Sequence, residues 1–191
     1  VVVEATGLDR LIPLEPPLAA VDLAASVNYR NAGTAEFLYD VQRQEFYFIE
    51  VNARIQVEHP VSEMISGFDL VQEQIRIAGG ASLSVAQDEI KLSGHAIELR
   101  INAEDATRDF MPSPGRITRW EPPTGEGIRL DSHMSAGAMI PPYYDSMVGK
   151  LIAHGRDRND AIAKLVAAID EFGIEGVPTT LPLQRAIITH P

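Results

Sequence analysis

The chain has no cysteine and few aromatic side chains. Of its 191 residues, 6% are aromatic and one is tryptophan. Without cysteine the chain forms no disulfide, has no thiolate nucleophile and builds no cysteine-ligated zinc site. A reducing, cytosol-like compartment is allowed by this composition but not required by it.

Positive charge is also scarce. The sequence has 16 Lys and Arg residues against 27 Asp and Glu residues, which gives a formal net charge of −11. Surfaces that bind nucleic acid or anionic membranes in a generic way need an excess of basic residues. The composition therefore excludes both as partners, and each arginine within a motif becomes more informative.

Long apolar runs are missing too. The sequence contains no stretch of about eighteen apolar residues and no signal peptide at its start, so neither a transmembrane helix nor a secretory signal is predicted. With 45% hydrophobic and 23% charged residues it is typical of one large or two small globular domains. It opens on a predicted strand, residues 1–5, without an initiator Met, which predicts a fragment of a longer protein.

One stretch, residues 46–60, combines a strand pattern with a series of polar side chains. An aromatic and aliphatic strand runs into polar residues at alternate positions and is stopped by Pro60. Residues 33–40 predict a second strand, and a connection of about five residues predicts a hairpin. In that register Glu36 lies directly opposite Glu50.

Side chains alternate between the two faces of a strand, which assigns the hairpin's residues to faces. The first predicted face is polar at one end: Phe46, Phe48, Glu50 and Asn52. The second is a predicted core face: Phe37, Tyr39, Tyr47, Ile49 and Val51.

The opposed carboxylates of Glu36 and Glu50 predict a divalent-metal site. Two like charges on directly opposed residues repel unless a cation lies between them. Asn52 adds a third oxygen on the same face. Carboxylates plus an amide oxygen suit Mg²⁺ or Mn²⁺ better than zinc. The alternative is a solvated hairpin whose acids have no role. That alternative is weakened because Leu38 and Phe48 are predicted on the same face, which would cover it in part.

The segment after this strand alternates a cation, an amide and an acid: Arg54, Gln56 and Glu58. A planar guanidinium suits a planar oxyanion, and a nearby carboxylate can accept a proton from it. The pattern therefore indicates an anion-binding and proton-transfer site.

The rest of the chain predicts a second part that begins near residue 93. Helices are predicted at residues 18–27, 62–68 and 70–77, and the mixed polar residues 81–92 predict a boundary. Alternation over residues 94–102 predicts a strand that presents Arg100 on its polar face, where the residues alone favour a solvated surface. Further strands are predicted at residues 116–120, 127–131 and 147–153, followed by helices at 159–172 and 181–188.

Residues 48–60 (FIEVNARIQVEHP) closely resemble the active-site motif of biotin carboxylase, the ATP-grasp component of biotin-dependent carboxylases. Residues 94–105 (GHAIELRINAED), 112–115 (PSPG) and 141–152 (PPYYDSMVGKLI) resemble three landmarks of that family's C-terminal region, in the same order. The resemblance covers essentially the whole chain. It implies an α+β fold: residues 1–85 as the C-terminal half of an ATP-grasp domain, an antiparallel sheet with helices, and residues 93–191 as the biotin carboxylase C-terminal domain.

The resemblance also implies roles for individual residues. Three would contact ATP: Glu36, Leu38 and Glu50. Three would hold two Mg²⁺ or Mn²⁺ ions: Glu36, Glu50 and Asn52. Three would bind bicarbonate, the third through its backbone amide: Arg54, Gln56 and Val57. Glu58 would be the base that activates bicarbonate, and Arg100 would stabilise the enolate of biotin.

The reaction implied by the resemblance is ATP-dependent carboxylation of biotin through carboxyphosphate. The implied partners are a biotin carboxyl carrier protein or domain, a carboxyltransferase and a second copy in a homodimer, in the cytoplasm or, in a eukaryote, the mitochondrial matrix. Acyl-CoA carboxylation for fatty acid biosynthesis is one setting for this step. The isolated fragment is expected to be inactive, because the family's glycine-rich ATP lid and phosphate-binding lysines precede the part that it matches.

Two other functions stay open at this point. Another ATP-grasp carboxylate–amine ligase would share the metal-binding acids and Asn52, although it would not need Arg100 or the segment from Gln56 to Pro60. A non-catalytic structural or interaction module is the second, because half of the ATP site is missing from these residues.

Overall fold

The computed structural model describes residues 15–190, and of residues 15–18 only the backbone. The strand predicted at residues 1–5 lies outside the described residues. The chain divides into two compact units between Leu92 and Ser93. Each unit is described by itself.

Over residues 15–92, the first unit contains three helices, one hairpin and a short 3₁₀ turn at Gln87–Glu89. Its elements are α1 (Glu15–Ser26), β1 (Thr34–Asp40), β2 (Glu45–Asn52), α2 (His59–Ser66) and α3 (Leu70–Ala78). Helix α2 ends at Gly67, which has the left-handed φ of 70° that favours glycine. Helix α3 begins after Asp69, whose carboxylate accepts a hydrogen bond from the Gln72 amide at 2.7 Å.

The hairpin confirms the predicted pairing of Glu36 with Glu50. The length of the connection and the register beyond this pair differ from the prediction. Asp40 pairs with Glu45, so the connection is one residue shorter than predicted, and the register shifts between Glu36 and Phe37. On β2 this shift leaves Ile49 as an extra residue, a β-bulge. The bulge compensates for the shorter connection, and it brings Glu50 back opposite Glu36.

The bulge makes the predicted faces of Phe46, Tyr47 and Phe48 wrong. Four residues share one face as predicted: Glu36, Leu38, Glu50 and Asn52. Phe37 pairs with Phe48 and Tyr39 with Phe46, with ring centroids 5.8 and 4.5 Å apart. These four aromatic residues therefore share one face. Leu38 pairs with Tyr47 instead and lies on the face of Glu36 and Glu50.

The predicted core character of β2 is also wrong within the described residues. Tyr47, Ile49 and Val51 remain 43%, 57% and 43% exposed. A two-stranded ribbon buries a side chain only where a further layer covers it. The alternation of residue types thus predicted the strand correctly, but it did not predict whether another layer of the fold buries its side chains.

The second unit contains nine strands, two helices and a 3₁₀ turn at Ala106–Arg108 within the described residues. Its longer elements are β3 (His95–Asn102), β8 (Ile128–Asp131), β10 (Met147–Gly155), α4 (Arg158–Glu171) and α5 (Leu181–Ile188). Its short strands are β4 (Glu104–Asp105), β5 (Met111–Pro112), β6 (Gly115–Arg116), β7 (Arg119–Glu121), β9 (Met139–Ile140) and β11 (Gly173–Glu175).

The strand predicted at residues 116–120 is broken in two. The break at Ile117 and Thr118 occurs where the chain changes partners, because β6 pairs with β9 whereas β7 pairs with β11. The two residues bond to both sides: the Ile117 amide donates to Ala138 O at 2.9 Å and the Thr118 amide to Glu175 O at 2.8 Å.

The centre of the second unit is an antiparallel sheet in the order β3-β10-β8. Its apolar face packs on α4, and Gly155 permits close approach, because a Cβ there would lie 2.4 Å from the Ala161 nitrogen. Residues from the sheet, α4 and α5 form one buried cluster: Ile101, Ala103, Ile117, Ile140, Val148, Leu151, Ala153, Leu165, Ala168, Ile169, Phe172 and Leu181. The predicted mixed α+β class with antiparallel strands is confirmed.

Helices α4 and α5 are fixed by polar contacts at their ends. Asp157 caps α4 by accepting from the Asp160 amide at 2.9 Å. The Arg185 guanidinium of α5 bonds to the Asp170 carboxylate of α4, with Nη2 to Oδ2 at 2.9 Å. Among residues 15–190, the helices are too short or too polar to span a bilayer.

Candidate functional site

Two opposed acids and two amides form a polar cluster at the open end of the hairpin. Glu36 and Glu50 pair across the strands, and Asn52 Nδ2 donates to Glu36 Oε1 at 2.8 Å and to Glu50 Oε1 at 3.4 Å. Gln56 Nε2 donates to the same Glu36 oxygen at 2.6 Å. The structure thus brings together the three predicted metal ligands and Gln56, which was predicted to bind bicarbonate.

This cluster has the chemistry that a hard divalent cation needs. Its carboxylate and amide oxygens are the ligand types that Mg²⁺ accepts. The amide donors of Asn52 and Gln56 now offset the repulsion between the carboxylates, and rotation of the Asn52 amide would turn its oxygen toward a cation. Within residues 15–190 no group of three or more acids, histidines or cysteines could hold a metal ion, so the metal site predicted here depends on Asn52 as its third ligand.

The segment between β2 and α2 is held by one bond to β1 and by bonds within the segment and to the start of α2. Thr34 Oγ1 donates to Arg54 O at 3.3 Å, and Arg54 Nη1 donates to Ile55 O at 3.1 Å. The His59 amide donates to Gln56 O at 3.2 Å. These bonds fix the backbone on which Arg54 and Gln56 stand, directly beside the acid pair.

Glu58 is the N-cap residue of α2, and its carbonyl accepts the Val61 amide at 3.0 Å. The side chain of Glu58 is half-buried, and Pro60 is fully buried in the first turn. The positive end of a helix dipole favours a negative charge at this position.

The remaining residue that was predicted to contact nucleotide, Leu38, is 60% exposed on the face of the acid pair. Arg54 is exposed as well. In contrast to Gln56, neither is brought into the hydrogen-bonded cluster by a bond that the structure defines. Their predicted roles rest on position alone.

Arg100 lies in the second unit, on the polar face of β3. It pairs with Lys150 of β10, which pairs in turn with Asp131 of β8. Lys150 Nζ lies 3.7 Å from Asp131 Oδ2, and the same carboxylate accepts from Arg129 Nε and Nη2 at 2.7 and 2.8 Å. Arg100 itself is exposed, as the strand pattern alone favoured, and the strands beside it carry a second cation, Lys150, and then the Asp131 carboxylate.

Sequence reasoning missed two residues near Arg100. Thr180 Oγ1 and Gln184 Nε2 both donate to the Arg100 carbonyl, at 3.4 and 2.5 Å. The contacts join residues 80 and 84 positions apart. Local patterns carry no signal for such a contact.

Comparison with known proteins agrees with this organisation. Residues 98–191 match the family described as biotin carboxylase C-terminal domain. Residues 17–86 match the family described as carbamoyl-phosphate synthase L chain, ATP binding domain. Biotin carboxylase 1 of Bacillus subtilis (strain 168) is 51% identical over 172 residues, which are 90% of this chain and 38% of that protein.

Two solved structures show the same fold. The biotin carboxylase of Campylobacter jejuni, solved as a complex described as β-γ-ATP, has a TM-score of 0.91 and 45% identity over 98% of this chain and 42% of its own. The biotin carboxylase domain of Hydrogenobacter thermophilus 2-oxoglutarate carboxylase was solved as a dimer with MgADP, ADP and bicarbonate. It has a TM-score of 0.90 and 42% identity over 97% of this chain and 41% of its own.

Fold and similarities together place the chain in the ATP-grasp class, as a segment that continues into a further C-terminal domain. Within that class it belongs to the biotin carboxylase family, as the motifs predicted. The chain spans 38% of the length of its Bacillus subtilis relative.

Proposed function

We propose that this chain supplies part of the active site of a biotin carboxylase, which carboxylates biotin on a carrier protein at the expense of ATP and bicarbonate. The observation that carries the proposal is the Glu36–Glu50 pair with Asn52 and Gln56 bonded to it. The chain then continues directly into Arg54 and Glu58. Relatives that are similar over most of this chain are named biotin carboxylases.

In this proposal Glu36, Glu50 and Asn52 hold Mg²⁺, or Mn²⁺, and Leu38 lies against the nucleotide. The metal would screen the negative charge of the ATP phosphates. The opposed carboxylates of the hairpin contribute the charge that attracts the cation, and the amides keep the pair stable without it. The Hydrogenobacter relative, solved with MgADP, supports this choice of cation.

The segment between β2 and α2 would bind and activate bicarbonate. Arg54, Gln56 and the backbone amide of Val57 orient the anion, for which a planar guanidinium is suited. Glu58 takes its proton, so that the bicarbonate oxygen attacks the γ-phosphorus of ATP and ADP leaves; the product is carboxyphosphate. The position of Glu58 at the start of α2, directly after Gln56 and Val57, supports this role.

Carboxyphosphate then yields CO₂ and phosphate, and the phosphate takes the N1′ proton of biotin. Arg100 would stabilise the negative charge that develops on the ureido oxygen, since a fixed cation is most effective where charge appears during the reaction. Carbon dioxide then joins N1′. The protein would act with a carrier protein and a carboxyltransferase, as a homodimer in the cytoplasm or the mitochondrial matrix.

The other ATP-grasp ligase predicted as an alternative would share only the metal-binding acids and Asn52. It has no use for a base at Glu58 or for a cation at Arg100 that serves biotin. The non-catalytic alternative applies to the isolated chain, whose hairpin remains largely exposed.

The test uses a chimera in which this chain replaces the matching segment of the Bacillus subtilis biotin carboxylase. We expect bicarbonate-dependent ATP cleavage and carboxylation of free biotin. Glu58→Gln should reduce both by about 10² to 10⁴, the usual contribution of a positioned base. The matched variant Glu45→Gln, on the same hairpin, should reduce neither. Failure of the parent chimera to carboxylate biotin, while it joins a carboxylate to an amine with cleavage of ATP, would favour the ligase instead.

A further inference from the structure

Strand β3, which carries Arg100, lies at the edge of the three-stranded sheet. One side of an edge strand has backbone N–H and C=O groups that the sheet leaves unpaired. Near Arg100 these groups bond to the start of α5 instead. The Thr180 amide donates to Asn102 O at 3.0 Å, and the Asn102 amide donates to Thr180 Oγ1 at 3.1 Å.

The Arg100 carbonyl receives two donors from the same segment. Thr180 Oγ1 donates to it at 3.4 Å and Gln184 Nε2 at 2.5 Å. Thr180 is 7% exposed, so its hydroxyl bonds are shielded from water. Gln184 Oε1 is buried and has no partner among the described residues. A buried acceptor without a partner lowers the stability of the fold. The Gln184 amide nevertheless keeps this conformation, in which its one hydrogen bond within residues 15–190 is the one it donates to the Arg100 carbonyl.

The segment that holds Arg100 is itself fixed to the core. Leu181 is 6% exposed within the buried cluster, and Arg185 bonds to Asp170 of α4. On its other side β3 is paired to β10, with Arg100 opposite Lys150. The backbone at Arg100 is therefore clamped from both sides.

We propose that Thr180 and Gln184 are positioning residues for Arg100, which set where its guanidinium meets the ureido oxygen of biotin. The inference rests on the proposed function. Neither residue touches substrate in this account; both act through the backbone of β3. Misplacement of a catalytic group by about 1 Å can cost about 10²-fold in rate. Loss of either donor should therefore reduce biotin carboxylation and not carboxyphosphate formation.

The experiment measures carboxybiotin formed per ATP cleaved in the chimera and in four variants. Thr180→Val and Gln184→Met keep the size of the side chain and remove the donor, and we expect each to lower this ratio at least about 5-fold. Thr180→Ser keeps the hydroxyl and should restore the parent ratio. Ile187→Gln is the matched control on the same helix: Ile187 is 63% exposed, and this change should leave the ratio unchanged.

A purely structural role would reduce ATP cleavage and biotin carboxylation in equal proportion, so an unchanged ratio in Thr180→Val and Gln184→Met overturns the inference. If Thr180→Val fails to fold, Gln184→Met decides the question alone. A parent chimera that carboxylates biotin while its variants keep the ratio contradicts only the positioning role. A parent that does not carboxylate biotin contradicts the proposed function and this inference with it.

Discussion

Glu36 and Glu50 show how two like charges are tolerated on one hairpin. Their Cα atoms are paired in the ladder, and Asn52 donates to both carboxylates. Opposed like charges destabilise a strand pair. Amide donors reduce this cost without neutralising the pair, which leaves the site negative and ready for a cation.

The first prediction concerns this site. In the chimera, Glu50→Gln should weaken Mn²⁺ binding in the presence of ATP by at least about 10-fold, because even the loss of a neighbour that merely orients a metal ligand costs that much. Electron paramagnetic resonance of free Mn²⁺ measures the affinity. Glu45→Gln, at the other end of β2, is the control and should bind Mn²⁺ as the parent does. Equal Mn²⁺ affinities for the parent and Glu50→Gln would show that the metal does not bind at this site.

At the scale of elements, α4 is the helix on which the central sheet packs, and Asp157 caps it. The Asp157 carboxylate accepts the Asp160 amide, one of the four donors that a helix leaves unpaired at its start. Asp157→Ala should therefore lower the free energy of unfolding of the second unit by about 1 kcal/mol. Asp157→Asn keeps an acceptor and should change it much less.

Trp120 fluorescence in urea provides the measurement, because Trp120 is the sole tryptophan and packs against Phe172 with ring centroids 5.1 Å apart. If Asp157→Ala and Asp157→Asn unfold at the same urea concentration as the parent, the cap contributes nothing.

Local sequence patterns were sufficient to predict most helices and strands. They were insufficient to predict contacts between residues that are far apart in the sequence. Alternation predicted β3, and the apolar stripe of α4 predicted that helix. The pairing of Glu36 with Glu50 was predicted, but the faces beyond it were not, because a bulge at Ile49 and a shorter connection have no residue signature as clear as Gly or Pro. The bond from Gln184 to the Arg100 carbonyl depends on how α5 packs. Neither sequence segment alone contains a pattern that predicts it.

At the scale of the whole molecule, the acidic composition and the formal charge of −11 make pH a stability variable. Bonds from the Arg156 backbone amide and side chain hold the pKa of Asp160 below its ordinary value, and Lys164 acts in the same direction. The Arg185 guanidinium lowers the pKa of Asp170. Both carboxylates lie on α4.

A carboxylate whose pKa is lower in the folded state stabilises the fold above its unfolded pKa, and this stability is lost as the pH falls through the folded pKa. The second unit should therefore keep a constant urea midpoint from pH 7 to about 5 and lose stability below about pH 4, where unfolded aspartate protonates. Asp160→Asn should flatten this decline. Trp120 fluorescence at each pH gives the midpoints, and parallel curves for parent and variant would contradict the assignment.

The central claim is that two steps use different residues. The segment from Arg54 to Glu58 acts in carboxyphosphate formation, and Arg100 acts in the carboxylation of biotin. Its most direct test is the Arg100→Ala variant of the chimera, assayed for bicarbonate-dependent ATP cleavage and for carboxybiotin with free biotin as acceptor. The account predicts that carboxybiotin formation is abolished while a substantial part of ATP cleavage remains. Loss of ATP cleavage as complete as that of Glu58→Gln would contradict it and would assign Arg100 to the phosphate or bicarbonate site.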